Sequence, residues 1–199
     1  MGEGLCPGLL VPAAAALFFD MKNIVLSGFM GTGKSTVAYR LARELGMTFV
    51  DLDSLIEDSA GKSIREIFSD LGEPAFRELE SEAVRRVVSG ALGDSIVLAT
   101  GGGTVVDRAN RALLKEWGFI ICLRASVASI LERTSRAVPG CTAESRPLLG
   151  AQDREAEIKR LLQERERAYN ECELSIDTTD YGVAEVVGKI RAFIEGENA

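Results

Sequence analysis

Residues 28–35 read G-F-M-G-T-G-K-S, and no other feature of the chain restricts its fold as tightly. The pattern G-x-x-x-x-G-K-S works only between a strand and a helix. Both flanks comply: Asn23 to Ser27 (N-I-V-L-S) predicts a buried strand, and Lys34 to about Leu45 predicts a helix. Glycines that can take positive φ let successive backbone N–H groups close around a phosphate. The helix start adds its partial positive charge. Gly31, Thr32, Gly33, Lys34, Ser35 and Thr36 are therefore candidate nucleotide contacts, with Lys34 reaching the β- and γ-phosphates and the Ser35 hydroxyl able to ligate Mg²⁺. A glycine-rich turn carrying a surface lysine is the competing reading, and the two correct flanks argue against it. Taken alone, the motif leaves GTPases, ATPases and kinases open.

The rest of the chain alternates short apolar runs with helical stretches. Met47 to Val50, Ser95 to Ala99, Phe119 to Leu123 and Leu174 to Ile176 predict four more strands. Helices are expected over Ser54 to Ala60, Ser63 to Ser69, Glu73 to Ser89, Asp107 to Trp117, Val127 to Arg133, Asp153 to Cys172 and Val183 to Ile194, with Gly61 splitting the first two and Asp107 as an N-cap. Ala137 to Gln152 mixes Pro, Gly, Ser and Thr without period and reads as a loop. Apolar strands alternating with helices indicate one α/β domain with a parallel sheet covered on both faces.

Charge narrows the partners. With 23 basic and 30 acidic residues the net charge is −7, which argues against a nucleic acid or an anionic membrane. It leaves an anionic small molecule open, because a few cations converging in one cleft suffice. Cys6, Cys122, Cys141 and Cys172 form no C-x-x-C pair and the chain has no histidine, so zinc sites and histidine catalysis are out. The thiols read as free in a reducing cytoplasm, with Cys122 a small core residue. The apolar stretch Leu9 to Phe19 is too short for the roughly 20 residues of a membrane span, and it lacks the basic start of a secretory signal. Residues 1–20 are expected to be a tail before a domain running from Met21 to Ala199.

The residues after the glycine-rich loop discriminate further. An N-K-x-D guanine signature is absent, and the third strand ends in A-T-G-G-G rather than in acids. The acid beside Mg²⁺ is then expected from Asp51 or Asp53, which on one extended segment would face the same cleft. A pair of acids capping the following helix is an equally open reading.

The chain resembles the shikimate kinase family, in motifs that run in order from about Met21 to Ile194. They are the G-F-M-G-T-G-K-S-T loop, F-x-D-x-D at Phe49 to Asp53, G-E-x-x-F-R-x-x-E at Gly72 to Glu80 and A-T-G-G-G at Ala99 to Gly103. Then follow L-x-R-T at Leu131 to Thr134, R-P-L-L at Arg146 to Leu149 and R-x-x-x-Y at Arg165 to Tyr169. The resemblance implies strand order 2-3-1-4-5, as in nucleoside monophosphate kinases, with ATP as co-substrate, Mg²⁺ as cofactor and shikimate as substrate. It also implies roles. Arg77 and Arg165 bind the substrate carboxylate, and Asp53 binds substrate hydroxyls and is a candidate proton acceptor. Asp51 supports Mg²⁺ through water, beside Ser35. Gly101, Gly102 and Gly103 contact substrate through their backbone. Arg133 lies against the adenine, and Arg146 belongs to a lid, about residues 135–152, that closes on the phosphates. A monomer is expected. Gluconate kinase-like enzymes and a family member that binds without reacting are the alternatives. The family's late adenine-side loop often carries a proline, and Thr179 to Val183 has none.

The chemistry of the residue types agrees with that set. Arginine offers planar paired donors for a carboxylate, which lysine does not. An ionised aspartate accepts from hydroxyls, and bare glycine backbone permits close approach. By pattern alone Arg77 and Arg165 are equally readable as solvated helix arginines paired with a neighbouring glutamate, as Arg167 is.

Overall fold

The apolar runs pair side by side as a parallel sheet in the computed structural model, which describes residues 23–135 and 154–197. The strands are β1 (Asn23–Gly28), β2 (Thr48–Asp51), β3 (Ile96–Ala99), β4 (Gly118–Arg124) and β5 (Leu174–Asp177). Their order is β2-β3-β1-β4-β5, the order implied by the resemblance. All four neighbouring pairs are parallel, with Ile24 opposite Val97 on one side of β1 and opposite Phe119 on the other.

Alternation along β1 builds a two-sided core. Ile24 and Leu26 point to the face covered by α1 (Lys34–Leu45) and α7 (Val183–Glu197), where Leu41, Val187 and Ile190 close over them. Val25 points to the other face, with Leu98, Ile120 and Cys122. That face is covered by α2 (Leu52–Ala60), α3 (Ile64–Val88), α4 (Arg108–Trp117), α5 (Val127–Ser135) and α6 (Arg154–Asn170). Cys122 is fully buried, the core position expected for it. No helix among the described residues is long and apolar enough to cross a membrane.

Two local differences from the sequence reading have physical causes. The helices expected over Ser63 to Ser69 and Glu73 to Ser89 are two arms of α3, broken at Gly72 (φ 79°, ψ 172°) just before Pro74. Glycine takes that φ without a Cβ clash, so the second arm leaves at a new angle. The second difference is the start of α2. It begins at Leu52 rather than Ser54, because the Asp51 side chain accepts from the N–H groups of Asp53 and Ser54 and so caps the helix.

Topology sets the site. From β1 the chain moves to β2 at one edge, returns through β3, then crosses to β4 on the opposite side of β1. A crevice opens where the connections diverge, at the carboxyl ends of β1 and β3. The G-K-S loop leaves β1 there, and the Gly101–Gly103 run leaves β3 there.

Candidate active site

The loop after β1 is shaped before any ligand arrives. Gly28 sits at φ 128°, and a Cβ there would run into the Leu123 carbonyl oxygen on β4. The turn is therefore possible only because strand and loop approach backbone to backbone. The Thr32 hydroxyl donates to the Phe29 carbonyl at 2.7 Å, and Lys34 Nζ donates to the same carbonyl at 3.0 Å. Ser35 and Thr36 are exposed in the first turn of α1. Arg133, on α5, ties this loop to the segment after β5. Its guanidinium donates to the Gly31 carbonyl (3.4 Å), the Thr178 carbonyl (2.6 Å) and the Thr179 carbonyl (3.3 Å). The Thr178 hydroxyl donates to the Arg124 carbonyl at 2.9 Å and lies 3.3 Å from the Thr32 carbonyl, which completes the tie.

The two acids do not share an extended segment. Asp51 ends β2, and its Oδ1 accepts from the N–H of Asp53 at 3.0 Å and of Ser54 at 3.4 Å; Asp53 already lies in the first turn of α2. The helix-cap reading of Asp51 is thus realised, and it leaves the other carboxylate oxygen outside the cap. The carboxylates still act on each other. Burial pushes the Asp53 carboxyl up from 3.8 to about 6; the Asp51 charge adds to the rise, Lys34 opposes it and Glu80 adds again.

The glycine run is where the cleft is tightest. A Cβ on Gly101 would stand 2.8 Å from Asp53 Oδ1 and 3.0 Å from Glu80 Oε1. One on Gly103 would stand 2.5 Å from Arg77 Nη1, and one on Gly102 would stand 3.5 Å from Arg165 Nη1. Three consecutive glycines therefore bring Asp53, Arg77 and Arg165 around one short stretch of backbone. At Gly101 and Gly103 nothing larger than glycine fits without moving the charged groups, whereas the approach at Gly102 is an ordinary contact.

The arginines are held differently. Arg77 donates to Glu73 through Nε (3.2 Å) and Nη2 (2.9 Å), and to Glu80 through Nη1 (2.8 Å). Arg165 is 7% exposed, lies with its guanidinium carbon 5.6 Å from the Phe29 ring centroid, and donates to the Gly102 carbonyl at 3.1 Å. Among the described residues no carboxylate forms an ion pair with it. A buried guanidinium without a counter-charge is costly unless an anion completes the site. Arg167, two residues on, is exposed, as expected of an ordinary surface arginine.

Two side chains of the cleft were not among the expected site residues. Glu80 is 1% exposed and takes the Thr104 hydroxyl at 2.7 Å. Tyr169, 3% exposed, donates to the Gly102 carbonyl at 2.6 Å. The spacings Arg77–Glu80 and Arg165–Tyr169, three and four residues, place each pair on one helix face and were the available signal. Residues 1–20 and most of the lid segment, Arg146 included, lie outside the described residues. A cavity of about 340 Å³ beside the loop is lined by Phe29, Thr32, Arg124 and Tyr169 among others, and neither Asp53 nor Arg77 lines it.

A P-loop at the switch point of a parallel sheet in the order 2-3-1-4-5, facing a cleft that gathers Asp53, Arg77 and Arg165, defines a P-loop kinase of the small-molecule class. The shikimate kinase family model matches residues 30–195. A shikimate kinase from Geobacter sulfurreducens is 46% identical over 177 residues, covering 88% of this chain and 92% of that protein. One from Caldanaerobacter subterraneus is 43% identical over 176 residues, covering 88% and 98%. Among solved structures, shikimate kinase from Acinetobacter baumannii in complex with shikimate superposes with a TM-score of 0.84 at 34% identity, covering 92% of this chain and 98% of that one. The chain belongs to the shikimate kinase family.

Proposed function

We propose that this enzyme transfers the γ-phosphoryl group of ATP to the 3-hydroxyl of shikimate, giving ADP and shikimate 3-phosphate in the route to chorismate. The observation that carries the reading is Arg165: a buried guanidinium with no carboxylate partner among the described residues, facing the same glycine run as Arg77. Arg77 spends three of its five N–H donors on glutamates, so two remain. Two arginine forks around bare backbone suit the carboxylate of a small acid.

The transfer needs few moving parts. The substrate hydroxyl oxygen attacks the γ-phosphorus in line, the bond to the β–γ bridging oxygen breaks, and the hydroxyl proton passes to Asp53. A carboxyl pushed up to about 6 is ionised at neutral pH, yet basic enough to take that proton. Lys34 and the backbone N–H groups of Gly31, Thr32 and Gly33 neutralise the β- and γ-phosphates, with Ser35 and Thr36 at the start of α1. Arg133 would border the adenine from its place between the loop and Thr178. Arg146 would close on the phosphates from the lid.

No cluster of three candidate protein ligands for a metal exists among the described residues. Mg²⁺ bound with ATP uses only one or two protein groups and keeps most of its waters. The exposed Ser35 hydroxyl, with the Asp51 oxygen left outside the helix cap acting through water, fits that demand. When bound, the ion would neutralise charge on the phosphates.

The same reading makes the protein a cytoplasmic monomer acting on small molecules and on neither nucleic acid nor membrane; its net charge of −7 supports that choice of partner. The test is ADP release with shikimate and with gluconate in parallel. Turnover of shikimate alone is expected. Turnover of gluconate alone, or of neither acid, would overturn the proposal.

A further inference from the structure

We propose that Tyr169 is a positioning residue for the substrate acid group: with Arg165 it clamps the Gly102 carbonyl, and the clamp aims the Gly103 N–H into the cleft as a third donor beside the two arginines. The inference rests on the functional reading above and adds a residue to it.

Arg165 and Tyr169 stand four residues apart on α6, one above the other on the same face. Both end on one atom. The Tyr169 hydroxyl donates to the Gly102 oxygen at 2.6 Å and Arg165 Nη1 donates to it at 3.1 Å. A buried tyrosine needs an acceptor for its hydroxyl, but any carbonyl of the core would serve that purpose. This one belongs to the residue with Arg165 on one side and the Arg77 contact, Gly103, on the other.

Peptide geometry carries the effect across. The chain has no cis peptide bond among the described residues, so the Gly102 C=O and the Gly103 N–H lie antiparallel in one plane. Holding the oxygen against α6 points the N–H away from α6. Gly103 is half-buried and adjoins the Arg77 guanidinium, and its N–H has no acceptor among the described residues. Glycine backbone rotates freely unless something holds it, and two donors on one carbonyl remove that freedom before substrate arrives. Burial pushes the Tyr169 hydroxyl up to about 12, against the opposing charge of Arg165, so it remains a donor throughout the working pH range.

The test is Tyr169→Phe, which removes the hydroxyl and keeps the ring. The KM for shikimate should rise about 3- to 10-fold, the scale of one hydrogen bond, with the KM for ATP and the kcat at saturating shikimate within about twofold. Binding of the methyl ester of shikimate, whose acid group is neutral, should change less than binding of shikimate. An unchanged KM for shikimate overturns the proposal, and so does an equal loss for both substrates, which marks a merely structural hydroxyl. Should Tyr169→Phe fail to fold, the amide resonance of Gly103 in the ¹⁵N-labelled native protein decides. Shikimate should shift it downfield and the methyl ester should not; a resonance that ignores shikimate refutes the aimed donor. Native protein that does not phosphorylate shikimate would sink the functional reading itself, which the Tyr169→Phe comparison alone does not touch.

Discussion

Arg77 Nη1 donates to Oε2 of Glu80 at 2.8 Å, three residues along α3, and Glu80 is 1% exposed. Its other carboxylate oxygen takes the Thr104 hydroxyl at 2.7 Å. A carboxylate this deep needs a close counter-charge, and Arg77 is the cation that supplies it. The guanidinium is consequently braced from the protein side, by Glu80 and by the more exposed Glu73, with the remaining donors left for the cleft. The brace makes the orientation of Arg77 a property of the fold rather than of the bound substrate.

Arg77→Lys keeps the charge but cannot reach Glu73, Glu80 and a substrate carboxylate at once. The KM for shikimate should rise on the order of 10- to 100-fold, the equivalent of about 1.5–3 kcal/mol, with the KM for ATP little changed. Steady-state kinetics in both substrates checks this, and an unaltered KM for shikimate would return Arg77 to the ordinary helix arginines.

Gly103→Ala tests the same geometry from the backbone side. The added methyl would meet the guanidinium of Arg77 first, and the long side chain can give way only by shifting against Glu73 and Glu80. The variant should fold and still bind ATP, with a lowered Tm because the shift loosens the buried Arg77–Glu80 pair, while its KM for shikimate rises at least about tenfold because the fork has moved. A variant with normal shikimate kinetics would show that Arg77 is not needed where it stands.

Asp53→Asn should trade activity for stability. The unfolded chain ionises this carboxyl near 3.8 and the folded protein holds the proton until about 6, so folding gains from Asp53 below about pH 4 and loses that gain as pH rises to about 6. Asparagine imitates the neutral form. In urea unfolding without ligands the variant should be more stable than the parent at pH 8, by about 1–3 kcal/mol, with the difference shrinking towards pH 4. Its kcat/KM for shikimate should fall at least about tenfold, and the parent's should rise with pH through about 6. Equal stability of the two proteins at pH 8 would mean that Asp53 carries no burial penalty.

Asp51→Asn separates the helix cap from the charge. Asparagine retains an Oδ1 that can accept from the Asp53 and Ser54 N–H groups, so α2 should keep its start and the Tm should hardly change. The Mg²⁺ concentration for half-maximal rate should rise several-fold, since one negative group near the bound ion is gone. Superimposable Mg²⁺ titrations would confine Asp51 to capping. Asp51→Ala, by contrast, should also cost about 1 kcal/mol of stability.

Much of this molecule is legible from short stretches of chain, for a reason that differs between elements. The strands and helices follow from apolar period, and the break in α3 from Gly72 before Pro74, because these are local preferences of the backbone. The cradle is legible because its mechanism depends on backbone N–H groups and therefore on glycine positions, which a sequence displays directly. Arg165 and Arg167 illustrate the opposite case. Both are arginines in a charged helix and pattern does not rank them, yet one is buried over Phe29 and the other is exposed, because two residues turn an α-helix by more than half a circle.

By itself, then, the order of residues determined a parallel α/β sheet, a phosphate-binding turn after β1, and, through the resemblance of seven ordered motifs, the family. Tertiary structure decided which charges face one another. Asp51 became a helix cap, Glu80 became the buried brace of Arg77, and the Tyr169 hydroxyl and Arg165 met on one carbonyl. These contacts join segments about 25 to 65 residues apart, across β3, α3 and α6, or depend on which face of a helix is buried. A local preference can specify a turn or a helix. The cost of burying a charge is settled only when distant segments have packed and water has left.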